Sequence, residues 1–278
     1  MTAATTPSTH RTRVHPATFP RLVTAEWIKF RTLRSSWWIL ATGVLVIPAF
    51  AVSRMVSIAQ VPELVGKPGM FGAVYVTSGV ALTQLAFCTL GVLAITGEYG
   101  TGQIRSTFVA APTRVPALAA KLLVTLAAVV AASLVAVALA WAGSIPWFGQ
   151  TGLSIDLSRE QDFRIMLGVP LYLAAATALA FGIGTIVRSS AGGLVIVLGL
   201  LLVVESVLAL VPWAPLQTLG AYLPASAGSR LLLAEEAGSV VAASTSTALS
   251  PWAGYGVMLA WVAAVLAVAV GLVRRRDA

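Results

Sequence analysis

Six long apolar runs, separated by short polar stretches, account for most of the 278-residue chain. A helix needs roughly 20 mainly apolar residues to cross a bilayer, and the runs are close to that length or longer. The pattern therefore predicts an all-α polytopic membrane protein. The six predicted spans lie at about 37–54, 73–97, 116–142, 165–187, 191–211 and 252–273.

The region before the first span divides into two parts. Residues 1–20 are rich in Thr, Ser, Ala and Pro without apolar periodicity, which is typical of a disordered tail. Residues 21–36 form an amphipathic pattern with basic residues and tryptophans, which suits a helix lying at the membrane interface. The apolar stripe comprises Val23, Trp27, Phe30, Leu33 and Trp37, with Lys29 and Arg31 at its flanks and Arg34 within it. An alternative is that these residues are only the charged end of the first span.

A polar segment punctuated by glycines, residues 98–114, separates the second and third apolar runs. Gly100 and Gly102 permit a sharp change of direction. Residues 104–111 could form about two helical turns, which Pro112 would end. The pattern predicts a short helix at the membrane surface that contacts another protein. A solvated hairpin between two spans is the alternative.

Three further polar stretches separate the later spans. Residues 143–163 are predicted to form an outer loop, and residues 188–190 a very tight turn on the cytoplasmic side. Residues 212–251 form a longer outer loop, of which the portion 216–233 could fold into short helices that dip back into the outer leaflet. The transmembrane domain is thus placed at residues 37–278.

Composition supports a membrane protein and excludes a soluble globular domain. The chain is 58% hydrophobic and 10% charged, with a mean hydropathy of +0.90, whereas soluble domains carry about 25% charged residues. The net charge of +8 is therefore interpreted through the positive-inside rule and not as a nucleic-acid-binding surface. The single cysteine, Cys88, permits no intrachain disulfide.

The distribution of basic residues predicts the orientation of the chain. With six spans and both termini in the cytoplasm, 13 of the 18 basic residues fall on the cytoplasmic side. These are Arg11, Arg13, Arg21, Lys29, Arg31, Arg34, Arg105, Arg114, Lys121, Arg188, Arg274, Arg275 and Arg276. The other five are Arg54, Lys67, Arg159, Arg164 and Arg230. The asymmetry indicates a multi-pass protein of the plasma membrane with both termini inside.

The sequence offers no enzyme chemistry. No Gly-Lys-Ser or Gly-Lys-Thr follows a glycine at the spacing of a phosphate-binding loop. His10 and His15 lie in the N-terminal tail, so no histidine metal site is expected in the membrane, and no Ser/His/Asp set is apparent. We therefore expect no catalytic residue, no metal site and no cofactor bound by this chain.

Two acidic residues and two polar residues are candidates for function. Glu98 lies beside Tyr99 where the second span meets the polar segment; it could pair with a basic residue and fix the bend, or be an ordinary surface carboxylate. Glu205 lies inside an apolar run, where an ionisable group is costly. A transport pathway or a buried hydrogen bond to a neighbouring helix would each account for it. Thr83 and Gln84 likewise suit a pathway or a helix contact.

Three sets of residues carry a family resemblance. The first is Ala25-Glu26-Trp27-x-Lys29-x-Arg31-x-x-Arg34-Ser35-x-Trp37-Trp38. The second comprises Gly97-Glu98-Tyr99, Gly102-Gln103-Ile104-Arg105, Ala111-Pro112-Thr113-Arg114 and Lys121, and the third Tyr222-Leu223-Pro224 with Gly228. Together they resemble the permease subunits of type-2 ATP-binding-cassette (ABC) exporters, especially those common in actinobacteria. The resemblance covers nearly the whole chain.

The resemblance implies a permease that lacks its own ATPase and pairs with separate ATP-binding subunits, normally as two permeases with two ATPases. The partner would use ATP and Mg²⁺, and the second permease could be identical or different. Residues 21–36 would be the elbow helix and about 99–111 the coupling helix. The implied coupling residues are Glu98, Tyr99, Gly102, Ile104, Arg105, Phe108, Arg114 and, at a second contact, Arg188. Members of the family move drugs, antibiotics, lipids or polysaccharides, so the substrate does not follow.

Two other classes remain open at this stage. An ion-coupled secondary transporter would carry several charges near the membrane midplane and an internal repeat, and the sequence has one such acid and no convincing repeat. A non-transporting scaffold or sensor would carry a folded soluble domain or a long tail for its partners. An ATPase reading frame beside this one would separate the three classes.

Overall fold

The computed structural model describes residues 18–67, 69–103, 114–234 and 249–275. All regular secondary structure within these residues is helical. Six helices are long and apolar enough to cross a membrane, so the protein is an all-α multi-pass membrane protein, as the hydrophobic pattern predicts. The predicted tail before residue 18 and the short helix predicted at 104–111 lie outside the described residues.

The first half of the chain contains five helices. They are α1 (Phe19–Thr32), α2 (Arg34–Ala59), α3 (Gly72–Val76), α4 (Val80–Gly100) and α5 (Val115–Thr151), with a 3-10 turn at Pro62–Leu64. The second half contains α6 (Glu160–Val187), α7 (Ser190–Leu198), a π-helical stretch (Gly199–Val204), α8 (Glu205–Leu210), α9 (Ala214–Gly220), α10 (Pro224–Ser229), a 3-10 turn (Arg230–Leu232) and α11 (Pro251–Arg275). The fifth span is composite: α7, the π-helical stretch and the start of α8 form one apolar rod.

Helix α6 is the centre of the bundle. In its most apolar stretch 83% of the residues are buried, against 22% for α11, and α6 packs against α4, α5, α7 and α11. Its contact with α4 is close, because a Cβ placed on Gly91 would lie 2.6 Å from the carbonyl oxygen of Thr177. Small residues that let two backbones approach are a usual feature of helix contacts in membranes.

Helix α1 lies against α5 and turns sharply into α2 at Leu33, which has an extended backbone. The predicted amphipathic helix, 21–36, is therefore divided: it begins two residues earlier, and its last residues belong to α2. The side chains of α1 that are buried also differ from those of the predicted apolar stripe. Phe30 and Glu26 are buried in the bundle, whereas Trp27 and Leu33 point outward, 44% and 54% exposed. The outward face carries both apolar residues and the exposed Arg21 and Arg31, a combination typical of a helix at the membrane interface.

Helix α5 continues to Thr151, so the first residues of the outer loop predicted at 143–163 are helical. The hydroxyl groups in these added turns bond within the helix. Ser144 Oγ donates to the carbonyl oxygen of Ala140 (2.7 Å), and Thr151 Oγ1 donates to that of Trp147 (3.0 Å). The helix ends at Gly152, whose φ of +69° a glycine adopts without strain.

The second span is interrupted near its start, which the apolar run does not reveal. Residues 77–79 separate α3 from α4, and α4 extends to Gly100, beyond the predicted end at 97. At the interruption Gly79 faces α2: a Cβ there would lie 2.7 Å from Ile47 Cα. Thr77 Oγ1 donates to the carbonyl oxygen of Ala73 at 2.9 Å, which closes the short helix.

Short helices occupy the segment after the fifth span, as predicted for residues 216–233. Helix α10 and the following 3-10 turn pack against α6 and α11. Ala227 and Leu231 are fully buried there. This folded part, residues 211–234, is called the outer segment below.

The bundle has two ends. The α1 end contains α1, the last turn of α4, the first turns of α5 and the end of α11; there Arg114 Nη1 donates to the carbonyl oxygen of Val273 at 3.3 Å. The opposite end contains the outer segment and the connection between α5 and α6.

We expect the α1 end to face the cytoplasm, because most basic residues lie there. Ser158 and Ser189 are exposed at opposite ends, and the native Cys88 is buried. In intact cells, an impermeant maleimide should label Ser158→Cys and leave Ser189→Cys unlabelled until the membrane is permeabilised. Labelling of Ser189→Cys from outside would reverse the orientation.

Candidate functional site

Four charged side chains meet at the α1 end, one pair from α1 and one each from α4 and α5. Lys29 Nζ contacts Glu26 Oε1 and Glu98 Oε1, each at 2.9 Å. Lys121 Nζ contacts Glu26 Oε2 at 2.5 Å and Glu98 Oε1 at 2.8 Å. Each ammonium group thus bridges both carboxylates, and we call the four residues the charge quartet. The quartet joins α1 to the end of α4 and the beginning of α5.

The quartet is electrically neutral and largely shielded from solvent. The side chains of Glu26 and Glu98 are each 7% exposed and that of Lys121 is 9% exposed, whereas that of Lys29 is 32% exposed. Buried charges are costly to desolvate, and only close pairing with good hydrogen bonds compensates for that cost. Removal of any one member would leave the other three with an unbalanced buried charge, so all four residues contribute to holding the three helices together.

Lys29 stays charged in this arrangement. Its partial burial alone would lower the pKa of the ammonium group, but hydrogen bonds and charge attraction from Glu98 and Glu26 outweigh that effect. The pKa of Lys29 is therefore raised above its usual value. An ammonium with a raised pKa remains a donor to both carboxylates throughout the physiological pH range.

One carboxylate oxygen of the quartet lacks a hydrogen bond. Glu98 Oε2 is buried and accepts from no group in the described part of the chain. Glu98 also lines a cavity of about 320 Å³ between α1, the start of α2, the end of α4 and the start of α5. All four quartet residues contribute to its wall.

A second set of contacts fixes the tight turn between α6 and α7 to the end of α4. The guanidinium carbon of Arg188 lies 5.1 Å from the centre of the Tyr99 ring, within the range of a cation–π contact. Arg188 itself has a φ of +60°. Ser190 Oγ donates to Thr96 Oγ1 at 2.8 Å. The predicted second contact residue, Arg188, is thus brought beside Tyr99 and the quartet.

The predicted coupling residues are placed in part. Glu98, Tyr99, Arg114 and Arg188 lie together at the α1 end, and Gly102 has a φ of +71°, which fits a sharp change of direction. Ile104, Arg105 and Phe108 lie outside the described residues. In the predicted elbow, Glu26 and Lys29 belong to the quartet, and the other three predicted members are exposed. These are Trp27, Arg31 and Arg34.

The predicted pathway residues all form buried hydrogen bonds between elements. Gln84 Oε1 accepts from Tyr172 Oη at 2.6 Å, which connects α4 to α6. Thr83 Oγ1 donates to the carbonyl oxygen of Gly43 in α2 at 3.3 Å. The Glu205 carboxylate accepts from the backbone N–H of Ala225 at 2.8 Å and from the N–H and hydroxyl of Ser226. These contacts supply the structural alternative that the sequence left open for each residue.

Arg164 is a buried residue that the sequence analysis counted only as an outer charge. Its guanidinium donates to the carbonyl oxygens of Arg230, Leu231 and Leu233 at 3.3, 2.9 and 3.0 Å. Glu205 binds the N-terminus of α10, and Arg164 binds carbonyls just beyond it, so the two charges match the polarity of the helical segment between them. Together they fasten both ends of residues 224–233 to the spans.

The contact between Glu26 and Lys121 is not visible in the sequence pattern, because the two residues are 95 positions apart in the chain.

Comparison with known proteins adds no family to these observations: no protein-family model matches the chain, and no curated protein matches it.

Proposed function

We propose that the chain is the membrane-spanning permease subunit of an ABC transporter, driven by ATP hydrolysis in a separate ATP-binding subunit. The charge quartet carries this proposal, because it connects the interfacial helix α1 to both helices that border residues 101–114. A partner that pushes on that segment would act on three helices together. The resemblance of Glu26, Lys29, Glu98 and Lys121 to motifs of type-2 exporter permeases supports the same role.

The expected mechanism is mechanical. ATP binding and hydrolysis, with Mg²⁺, occur in the partner and displace residues 101–114. Glu98 and Lys121 transmit the displacement to α4 and α5, and their contacts with Glu26 and Lys29 make α1 move together with these two helices. Arg188, stacked on Tyr99, extends the same unit to the turn between α6 and α7. A second permease, identical or different, would complete the assembly. The direction is outward and the cargo a drug, antibiotic, lipid or other amphipathic compound.

An ion-coupled secondary transporter is the second candidate, since Glu205 lies within a span. Its carboxylate, however, binds the N-terminus of α10 through three hydrogen bonds. A carboxylate that carries protons or ions has to exchange partners, whereas this one fastens two elements. A non-transporting scaffold is a third candidate that no particular contact favours.

The Glu98→Gln variant tests the proposal. The amide removes one negative charge from the quartet but keeps the shape of the side chain, so membrane insertion and assembly with the ATPase should persist. We expect transport per ATP hydrolysed to fall roughly fivefold or more, the lower end of typical coupling energies between sites. Transport and ATP hydrolysis are measured together in proteoliposomes that contain this chain and its ATPase subunit.

The matched control is Glu160→Gln, which changes an exposed carboxylate at the opposite end and should leave coupling unchanged. The purified chain alone should hydrolyse no ATP. Cysteines introduced between 101 and 111, beginning with Phe108→Cys, should cross-link to the ATPase. Normal coupling in Glu98→Gln, together with no cross-link from any of these positions, would exclude the proposed role.

A further inference from the structure

The cavity at the α1 end has two kinds of wall. One part is apolar and includes Phe30, Ile39, Leu90 and Leu93. The other part contains the charge quartet and hydroxyl-bearing side chains such as Thr125. Its volume of about 320 Å³ is at the lower end of the range for small-molecule sites. A cavity lined by both apolar and polar side chains matches an amphipathic molecule.

The polar part lacks a hydrogen-bond donor. The Glu98 side chain is 7% exposed, and its Oε2 has no donor in the described part of the chain. A buried carboxylate oxygen without a partner costs free energy that a bound donor would recover. The missing group is therefore an O–H or N–H.

The charge balance selects among the possible donors. The quartet already contains two carboxylates and two ammonium groups, so its net charge is zero. A ligand with a net charge would bring an uncompensated charge into a partly buried site, which is costly. An uncharged hydroxyl group supplies the donor without that cost.

The surroundings of the cavity indicate where the ligand comes from. Trp27, Trp37 and Trp38 are exposed by 44%, 48% and 75% around the start of α2. Exposed tryptophans are enriched at the boundary between lipid and water. The cavity therefore lies at the depth where lipid headgroups meet acyl chains.

We propose that this cavity binds the head of an uncharged, hydroxyl-bearing lipid from the adjoining leaflet. A hydroxyl group donates to Glu98 Oε2, and the first methylene groups lie along Leu90 and Leu93. This site shares the quartet with the proposed coupling to an ATPase but does not depend on that coupling, because binding requires only this chain. A failure of transport coupling would leave it intact, and the reverse also holds.

Two glycines on α4 provide a blocking variant and its control. A Cβ on Gly97 or on Gly100 meets no atom within 4 Å, so either position accepts a side chain. Leucine is also the better helix former. Gly97 lines the cavity, whereas Gly100 does not. Gly97→Leu should fill the cavity, and Gly100→Leu should add the same group outside it.

The test uses a photoactivatable monoacylglycerol in phosphatidylcholine nanodiscs that contain the purified chain. We expect saturable labelling of cavity residues such as Leu93, competed by monoolein but not by free glycerol. Affinity should fall about tenfold or more in Gly97→Leu, equivalent to about 1.4 kcal/mol, and remain unchanged in Gly100→Leu. Equal labelling in the two variants, or labelling outside the cavity only, would overturn the proposal.

A second arm tests the hydrogen bond. Monoolein with both hydroxyl groups methylated keeps the acyl chain and all the oxygen atoms but has no donor. It should compete about tenfold less well or worse, as expected for the loss of one hydrogen bond to a charged group. Equal competition by the methylated compound would show that Glu98 Oε2 receives no donor from the lipid and would refute the assignment of the headgroup.

Discussion

Replacing Lys121 by methionine should destabilise the protein by about 3–5 kcal/mol, the usual cost of removing one partner from a buried ion pair. Lys121 contacts both carboxylates of the quartet, at 2.5 and 2.8 Å. Without it Glu26 and Glu98 share only Lys29, and a net negative charge remains between three helices. Methionine retains most of the side-chain length, so packing changes little. Equilibrium unfolding in detergent micelles measures the loss.

Lys67→Met is the matched control, because Lys67 is exposed at the opposite end. This substitution should change the free energy of unfolding by no more than about 0.5 kcal/mol. The double variant Glu98→Gln with Lys121→Met restores neutrality and should recover part of the loss. If Lys121→Met were as stable as the wild type, the quartet would not hold α1, α4 and α5 together.

The Glu205→Ala variant should release the outer segment from the fifth span. The carboxylate accepts from Ala225 N (2.8 Å), from Ser226 N and from Ser226 Oγ (2.6 Å). Hydrogen bonds to a charged group contribute about 1.5–3 kcal/mol each, and the alanine variant loses all three. Hydrogen–deuterium exchange of residues 224–233 should therefore accelerate by roughly a thousandfold or more, while exchange in α6 stays slow.

Two controls separate this effect from general damage. Ser226→Ala removes only the hydroxyl bond and should accelerate exchange by much less, in line with about 1.5–3 kcal/mol. Glu63→Ala removes an exposed carboxylate and should change nothing in residues 224–233. Unaltered exchange in Glu205→Ala would mean that α6 and α11 alone hold the outer segment, and that Glu205 is available for another role.

The number and order of the spans follow directly from the sequence. A membrane-crossing helix requires a long apolar run, and such a run is visible whatever its neighbours are. The short helices of the outer segment are also predictable, because Pro224 and Gly228 punctuate an otherwise apolar stretch. In each case the signal is local, so no knowledge of tertiary contacts is required.

The features that the sequence did not predict depend on contacts between distant residues. Glu26 is 95 residues from Lys121, and Lys29 is 69 residues from Glu98, so no periodicity shows that they meet. Helix α5 continues past Gly143 and Pro146, although such residues often mark a loop, and its added turns are packed against neighbouring elements, with Ser144 and Thr151 fully buried. From the sequence alone Arg164 is predicted to be a charge in a loop, because the carbonyl oxygens that it binds come near it only in the folded chain.

Helix α5 is longer than any bilayer requires. Its 37 residues extend about 55 Å, at 1.5 Å per residue. Lys121 and Trp141 are about 30 Å apart along it, which equals the thickness of the hydrocarbon core. A bilayer whose hydrocarbon core covers this stretch leaves the last ten residues extending about 15 Å beyond the core, through the headgroup region and past it. Gly66 N–H donates to the carbonyl oxygen of Thr151 at the end of the helix (3.1 Å), so the loop that contains Gly66 is attached to this projecting end. An antibody, a cell-wall polymer or a neighbouring protein on that side would contact the projecting end of α5 before it reached the membrane.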